Sequence, residues 1–385
     1  MMNFEFYNPV KILFGEGEIE SIANEIPQNA KILMTYGGGS IKRNGVYEQV
    51  VEALKGFELI EFGGIEPNPK YETLMKAVKL AQSLKIDFLL AVGGGSVIDG
   101  TKFISAAIHF QGDPWTILTG GRDVTINDAV PIGTVLTLAA TGSEMNSGGV
   151  ISRVSTGEKF AFGSPLLFPK FSVLDPTTTY SLPLNQVSNG IVDAYVHVIE
   201  QYLTYSVFSP VQDRWAEGLL QTLVEIGSKV LENPTDYDLR ASMMWACTMA
   251  LNGIIGVGVP SDWATHMIGH ELTAFFNLDH AVTLAIVLPS LLNETRDEKK
   301  EKLLQYASRI WSINEGSEHK RIDLAIKETE SFFNAMNIKT KLSDYGINRE
   351  QLSPIFNRFY QRKWKLGENK NIDAERVEKI LVSAL

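Results

Sequence analysis

Short apolar runs that end in glycine recur through the first half of the chain, and helical patterns follow several of them. Four such runs are "AKILMTYGGGS", "FELIEFGGI", "IDFLLAVGGGS" and "VPIGTVLT". The segments "YETLMKAVKLAQSLK" and "SVIDGTKFISAAIHF" supply helices between them. Strands that are apolar on both faces and alternate with helices indicate a parallel sheet covered on both sides. The first half is therefore predicted to be a doubly wound α/β domain.

The second half follows a different pattern, because nearly every segment after "SLPLNQVSNG" has helical periodicity. The clearest predicted helices span 186–204, 210–232, 238–254, 264–276, 282–311 and 322–336. The chain has 385 residues, and single cores rarely grow beyond about 250–300 residues. We expect an α/β domain over 1–180 and an all-helical domain over 181–385.

Composition excludes several classes of function. The net charge is −10 and no basic tract offsets it, which argues against nucleic acid or an anionic membrane as a partner. The single cysteine, Cys247, excludes an internal disulfide and a cysteine-based metal cluster. No apolar run approaches the length of about 18 residues that spans a membrane. The first residues lack the basic end and apolar run of a signal peptide. We expect a cytosolic protein.

The turn in "LLAVGGGSVIDGTK" joins a buried strand to a helix. Glycines let the backbone approach a ligand, and the N–H groups at a helix N-terminus attract anions. Gly94, Gly95 and Ser96 are therefore candidates to bind a pyrophosphate, although a tight turn without ligand fits equally well. The motif is neither G-x-G-x-x-G nor a P-loop. Asp99, one turn into the helix, either faces the ligand or favours the helix dipole.

The earlier segment "TYGGGSIKRNG" also places three glycines and a serine directly after a predicted strand. A site selective for NAD usually places a carboxylate there to bind the adenosine ribose. The loop 37–40 offers three glycines and Ser40 instead, which leaves room and N–H donors for a 2′-phosphate. The alternative is a flexible turn with two surface cations, Lys42 and Arg43. A third polar cluster, "TLAATGSEMN" at 137–146, follows the strand "IGTVLT".

Two predicted helices carry metal-ligand pairs at a spacing of four residues. His266 and His270 share one helix face in "WATHMIGHELTAFFNLDH", and His280 follows ten residues later. Asp193 and His197 have the same spacing in "NGIVDAYVHVIEQY". Three or four nitrogen and oxygen ligands without cysteine suit Zn²⁺, Fe²⁺ or a related divalent ion. The sequence therefore predicts a metal site in the helical domain.

Other histidines and carboxylates nearby are given simpler interpretations. His109 and His319 are expected to be ordinary core or surface residues. Glu200 and Glu271 lie beside the predicted ligands in the sequence, and a supporting or purely structural role is expected for both.

Taken together, these motifs resemble the iron-containing alcohol dehydrogenase family. The resemblance rests on "GGGSVID", "EPNP", "LTLAATGSE" and "WATHMIGHELTAFFNLDHA", and it covers essentially the whole chain. Within the family the chain looks most similar to the NADPH-dependent aldehyde reductase and butanol dehydrogenase branch, on the segments "TYGGGSIKRNGV", "GGIEPNP" and "VPSDWATHMIGHELTA". The resemblance implies a dinucleotide-binding α/β domain of the dehydroquinate-synthase type, followed by an all-α metal-binding domain.

The resemblance also implies a role for individual residues. The implied metal ligands are Asp193, His197, His266 and His280. His270 would lie beside the metal, near nicotinamide and substrate, and Asp99 is placed among both the catalytic and the cofactor-binding residues. The remaining implied cofactor contacts are Gly38, Gly39, Ser40, Asn68, Gly94, Gly95, Ser96, Thr137, Thr141 and Lys159.

The implied activity is reversible reduction of short-chain aldehydes such as butanal to primary alcohols with NADPH. The implied ion is Zn²⁺ first and Fe²⁺ second, and the implied assembly is a homodimer. A polyol dehydrogenase and a dehydroquinate synthase are alternatives on the same fold. A synthase with a phosphorylated, carboxylated substrate needs cations, in which "WATHMIGHELTAFF" is poor. A metal-dependent phosphohydrolase or a non-catalytic metal-binding protein leaves the glycine turns unexplained.

Overall fold

The computed structural model describes residues 1–121 and 124–385. These residues form two compact units. One comprises Tyr7–Pro183 and Pro234–Thr248, and the other comprises Met1–Phe6, Leu184–Asn233 and Met249–Leu385. The domain division at residue 180 stays a prediction, since both compact units are discontinuous in the sequence.

The first unit contains, among its described residues, a six-stranded sheet in the order β1-β8-β5-β4-β2-β3, and all neighbouring strands are parallel. Its strands are β1 (Lys11–Phe14), β2 (Lys31–Tyr36), β3 (Glu58–Phe62), β4 (Phe88–Gly94), β5 (Ile132–Leu138) and β8 (Phe171–Leu174). The α-helices between these strands are α1 (Val46–Ala53), α2 (Tyr71–Leu84), α3 (Gly95–Ile108) and α4 (Thr116–Thr119). The predicted parallel α/β class is confirmed.

An antiparallel hairpin, β6 (Gly148–Arg153) with β7 (Glu158–Gly163), accompanies the sheet. Sequence patterning did not predict this hairpin or the short strand β1. The reason is physical, because β7 has one buried residue and β1 has none. Both strands therefore lack the continuous burial of the central strands β4 and β5.

The remainder of the chain is helical, as predicted. Its helices are α5 (Leu184–Tyr202), α6 (Pro210–Glu232), α7 (Tyr237–Ala250), α8 (Ala264–Phe276), α9 (His280–Glu294), α10 (Lys300–Trp311), α11 (Glu318–Ala335), α12 (Ser353–Arg362) and α13 (Ala374–Ser383). The prediction of one helix over 282–311 is wrong, because α9 ends at Glu294 and α10 begins at Lys300. At this break Lys299 turns inward, and its Nζ donates to the carbonyl of Leu203 at 2.7 Å. None of the described helices is long and apolar enough to span a bilayer.

The sheet places the predicted cofactor turns next to one another. Strand β4 pairs with β2 on one side and with β5 on the other, all in the same direction. Their carboxyl ends therefore lie along one edge, which is where ligands bind in open α/β sheets. The turns after Tyr36, Gly94 and Leu138 all open at this edge.

The sheet packing leaves no room for a side chain at Gly133 of β5. A Cβ there would lie 2.4 Å from Cζ of Phe171, whose fully buried ring stacks on Phe88. We expect Gly133→Ala to lower the free energy of unfolding by about 1–3 kcal/mol through overpacking. Thermal unfolding of the purified variant measures the effect.

Gly218 of α6 provides the matched control for this substitution. It is exposed, and a Cβ there meets no atom within 4 Å. We expect Gly218→Ala to stabilise the protein by about 0.5–1 kcal/mol, because alanine loses less backbone entropy in a helix. Equal unfolding temperatures for the two variants would contradict the packing argument.

Candidate metal and cofactor sites

Three helices of the second unit carry the predicted metal ligands. Helix α5 presents Asp193 and His197, helix α8 presents His266, and His280 is the first residue of α9. The spacing of four residues places Asp193 and His197 on one helix face, and their side chains approach each other in the structure.

Oδ1 of Asp193 lies at the centre of this group. It is 3.7 Å from Nδ1 of His197, 3.9 Å from Nε2 of His266 and 3.7 Å from Nε2 of His280. The ligand atoms of Asp193, His266 and His280 all lie within 4.8 Å of one another. Two ligands that each bind one ion at about 2.0–2.2 Å in tetrahedral geometry are about 3.3–3.6 Å apart. The three separations from Oδ1 of Asp193, 3.7–3.9 Å, are slightly longer than this value and longer than hydrogen bonds.

The chemistry of the donors also fits a divalent ion. The side chains of Asp193, His197 and His266 are at least nine-tenths buried, and that of His280 is 26% exposed. Burial lowers the pKa of His197 to about 4, so its ring is neutral at physiological pH, as metal ligation requires. Its buried Nδ1 makes no hydrogen bond within the described residues. The residues present therefore fit a metal, and the four ligand assignments stay a prediction.

Glu200 of α5 holds His266 from the other side. Its Oε2 accepts a hydrogen bond from Nδ1 of His266, while its Oε1 accepts from the backbone N–H of Thr265 at 2.6 Å. In the tautomer with the proton on Nδ1, Nε2 of His266 carries the lone pair and lies 3.9 Å from Oδ1 of Asp193, an arrangement that carboxylates favour in metal-binding imidazoles. The supporting role expected for Glu200 thus has a concrete geometry.

His270 and Glu271 lie on α8, one turn after His266, and have different surroundings. The ring of His270 is buried, with its centroid 5.5 Å from that of His280 and 6.4 Å from that of His266. Glu271 accepts hydrogen bonds from Arg358 at 2.8 Å and from Arg362 at 3.1 Å. Glu271 therefore tethers α8 to α12, whereas His270 lies beside two of the predicted ligands, and its role stays a prediction.

In the first unit, β4 passes directly into α3 at the predicted pyrophosphate turn. Gly94 ends the strand, Gly95 begins the helix, and among the described residues no side chain caps this helix end. A Cβ on Gly95 would lie 2.3 Å from Oγ1 of Thr141, so close packing already requires glycine there. The first-turn N–H groups of α3, including that of Ser96, are available to an anion.

Asp99 belongs to a buried polar network. Its Oδ1 accepts a hydrogen bond from Oγ of Ser143 at 2.6 Å, and its Oδ2 accepts from the backbone N–H of Val150 at 2.9 Å. Burial raises the pKa of Asp99, against the opposing charge of Lys102. The structure thus connects Asp99 to the loop after β5, and its catalytic role stays a prediction.

Lys102, which the sequence analysis overlooked, is the hub of this network. Its Nζ is fully buried and lies within hydrogen-bond distance of the carbonyls of Ser143 and Gly148, Oγ of Ser143 and Oδ1 of Asn146, at 2.7–2.9 Å. Burial lowers its pKa to about 8. A lone lysine in "GTKFISAAI", a helix buried almost all round, is the signal that would have marked it.

The loop after β2 is open at the positions predicted to bind a 2′-phosphate. A Cβ on Gly38 or Gly39 would meet no atom of the described residues within 4 Å, and Ser40 is exposed. Gly39 has a φ of 86°, whereas Gly38 is not among the positive-φ residues. Position 38 therefore accepts other side chains without backbone strain, but position 39 does not.

Lys42 and Arg43, the two cations beyond this loop, differ in their contacts. Nζ of Lys42 bonds to Oε2 of Glu61 at 2.8 Å and lies over the rings of Tyr36 and Tyr47. Burial works to raise the pKa of Glu61, but the hydrogen bonds from Lys42, Tyr47 and Tyr36 together lower it. The side chain of Arg43 is exposed and has no ion pair within the described residues.

Two predicted cofactor residues that are distant in sequence meet in the structure. Nζ of Lys159, on β7, donates to Oδ1 of Asn68 at 2.8 Å. Asn68 has a left-handed backbone with a φ of 54°. Thr137 lies on β5 near the sheet edge and is buried. The β6–β7 hairpin, which the sequence pattern did not predict, thus brings Lys159 to the turn at Asn68.

Comparison with known proteins agrees with this architecture. Residues 9–176 match the family model of iron-containing alcohol dehydrogenase, and residues 187–385 match the C-terminal model of the same family. The NADPH-dependent aldehyde reductase YqhD of Escherichia coli K12 is 56% identical over 100% of both chains. A crystal structure of that protein covers 100% of this chain and 99% of its own, with 55% identity and a TM-score of 0.98.

A further relative, the probable NADH-dependent butanol dehydrogenase 1 of Bacillus subtilis 168, is 43% identical over 100% of both chains. The resemblance inferred from the motifs is confirmed by both family models, which together cover most of the chain. The chain therefore belongs to the iron-containing alcohol dehydrogenase family.

Proposed function

We propose that the protein reversibly reduces short-chain aldehydes such as butanal to primary alcohols, with NADPH and one divalent metal ion. The observation that carries this proposal is the group of three imidazoles around the buried carboxylate of Asp193. The cofactor turns at one sheet edge and the membership of the family support it.

The metal site would consist of Asp193, His197, His266 and His280. A bound divalent ion supplies positive charge that stabilises the negative charge developing on a carbonyl oxygen. The chain's own part is to keep the imidazoles neutral by burial and to orient them, as Glu200 does for His266. Zn²⁺ is the proposed ion, and Fe²⁺ is the second candidate for this set of nitrogen and oxygen donors.

The cofactor would bind along the carboxyl edge of the sheet. NADPH supplies the hydride, and the protein supplies its orientation. The first turn of α3 would hold the pyrophosphate, and Gly38, Gly39 and Ser40 would receive the 2′-phosphate. Thr137, Thr141, Asn68 and Lys159 would line the rest of the site, and Asp99 would hold the neighbouring loop through Ser143.

His270 would carry the proton that converts the reduced oxygen to an alcohol, or position the substrate for that transfer. Its buried ring beside His280 supports this role. We further propose that the enzyme is a cytosolic homodimer. The decisive experiment is metal analysis of the purified protein together with butanal reduction measured with NADPH and with NADH. Protein without metal and without reductase activity would reject the proposal.

Replacement of a metal ligand should remove the metal and the activity together. We expect His266→Ala and His280→Ala to lose most of the bound metal and nearly all butanal reduction, because each removes one of four donors. Elemental analysis and steady-state rates measure both. His109→Ala is the control, since His109 is a half-exposed histidine of the other unit. Full metal occupancy and turnover in either ligand variant would refute the ligand assignment.

His270→Ala should separate catalysis from metal binding. We expect this variant to keep its metal, to reduce butanal about 100-fold or more slowly, and to have an altered pH–rate profile, as removal of a proton-transfer group does. Metal loss as large as that of His266→Ala would instead identify His270 as a ligand.

Cofactor preference should depend on position 38. A carboxylate about 4 Å from a phosphate costs on the order of 1–4 kcal/mol per pair of charges, or about tenfold or more in affinity. We expect Gly38→Asp to raise the KM for NADPH strongly and to leave NADH use intact or improved. Because Gly38 lies outside the positive-φ residues and its Cβ direction is open, backbone strain should not confound the result.

Gly38→Asn is the matched control, since it adds almost the same volume without charge. It should retain most of the preference for NADPH. If Gly38→Asp and Gly38→Asn weaken NADPH equally, size rather than charge governs this loop. A wild-type enzyme that prefers NADH would reject the proposed phosphate site.

A further inference from the structure

Two carboxylates bind the first N–H groups of α8, the helix that carries His266. Oδ1 of Asp262 accepts from the N–H of Ala264 at 3.0 Å, and Oε1 of Glu200 accepts from that of Thr265 at 2.6 Å. The backbone of Asp262 is itself anchored, because its N–H donates to the carbonyl of Glu200 at 2.9 Å. The start of α8 is thus held at successive residues.

Trp263 lies between these anchors in an unusual conformation. Its φ of 62° and ψ of 6° are left-handed, which is rare for an aromatic residue and persists only where the surroundings enforce it. Its ring packs edge-on against two predicted ligands, with centroids 5.4 Å from His266 and 6.3 Å from His197. The conformation of Trp263 and the placement of the imidazoles are therefore linked.

A buried lysine stabilises this segment from behind. Nζ of Lys299 bonds to Oδ2 of Asp262 at 2.9 Å, to Oε1 of Glu368 at 2.6 Å and to the carbonyl of Leu203 at 2.7 Å. The side chains of Lys299, Asp262 and Glu368 are at most 4% exposed. This cluster therefore joins the end of α5, the segment before α8 and the segment after α12.

We propose that Lys299, Asp262 and Glu368 are positioning residues for the metal centre. They hold Trp263 left-handed and fix the first turn of α8, and so direct Nε2 of His266 toward Asp193. Because His266 is the third residue of α8, a displacement of residues 262–264 reaches it without an intervening flexible segment. The inference rests on the proposed metal site. It adds residues that fix the geometry of that site without contacting a metal-ligand atom.

The test uses Co²⁺ as the probe ion in the full-length protein. Two quantities are measured: the visible absorption spectrum, which reports ligand geometry, and the rate at which a chelator removes the ion. We expect Asp262→Ala to alter the spectrum and to release Co²⁺ about tenfold or more faster, as loss of supporting partners typically weakens metal sites 10–100-fold. Asp262→Asn keeps an acceptor for Ala264 and should have a smaller effect.

Asp213→Ala is the matched control, because it breaks a comparable ion pair at α10, the helix that begins directly after Lys299. Asp213 lies 2.5 Å from Nζ of Lys302, three residues after Lys299, and the side chains of Lys302 and Asp213 are 5% and 14% exposed. Within the described residues neither side chain bonds to α8. This variant should lose thermal stability but keep the wild-type spectrum and release rate.

The outcomes separate the inference from the function on which it rests. If the wild type binds no Co²⁺, both the metal centre and the inference fail. If the wild type binds it and Asp262→Ala matches Asp213→Ala in spectrum and release rate, only the inference is overturned. Should Asp262→Ala not fold, Asp262→Asn decides, and wild-type values for it overturn the proposal.

Discussion

The buried carboxylate of Asp193 constrains how α5, α8 and α9 pack in the second unit. A buried carboxylate is costly unless positive charge or hydrogen bonds compensate it. Here three imidazoles surround it at 3.7–3.9 Å, and burial keeps at least His197 neutral. A divalent ion bound among these donors would add positive charge beside the carboxylate. The proposed metal site therefore accounts for the convergence of these three helices on one buried carboxylate.

Each unit also contains a buried lysine that joins segments distant in sequence. Lys102 lies within bonding distance of carbonyls on both sides of the turn between β5 and β6, close to Asp99. Lys299 joins the carbonyl that follows α5 to carboxylates before α8 and after α12. An ammonium with three donors suits this task, because it satisfies several acceptors from one point. Neither lysine touches a predicted metal ligand, yet each fixes a segment beside a predicted site.

The helical part of the candidate site was predictable because a spacing of four residues places Asp193 and His197 on one face whatever the tertiary structure. The parallel sheet was predictable because its central strands are continuous apolar runs. By contrast, Lys102 and Lys299 bond to backbone carbonyls 41 and 96 positions away. Every residue has a backbone carbonyl, so the residue types in the sequence do not indicate which carbonyl accepts the bond. The left-handed Trp263 is likewise invisible in a sequence, because tertiary contacts impose that conformation against intrinsic preference.

The backbone conformation at Gly38 bears on which coenzyme the proposed cofactor site accepts. Its neighbour Gly39 is confined to glycine by a φ of 86°, but Gly38 is under no such restriction and has open space at its Cβ. In the proposed cofactor site, a substitution there would alter the charge near the adenosine end of the dinucleotide without straining the backbone. On the proposed function, a change of coenzyme preference at this position would leave the proposed metal ligands unchanged, because they belong to the other unit of the chain.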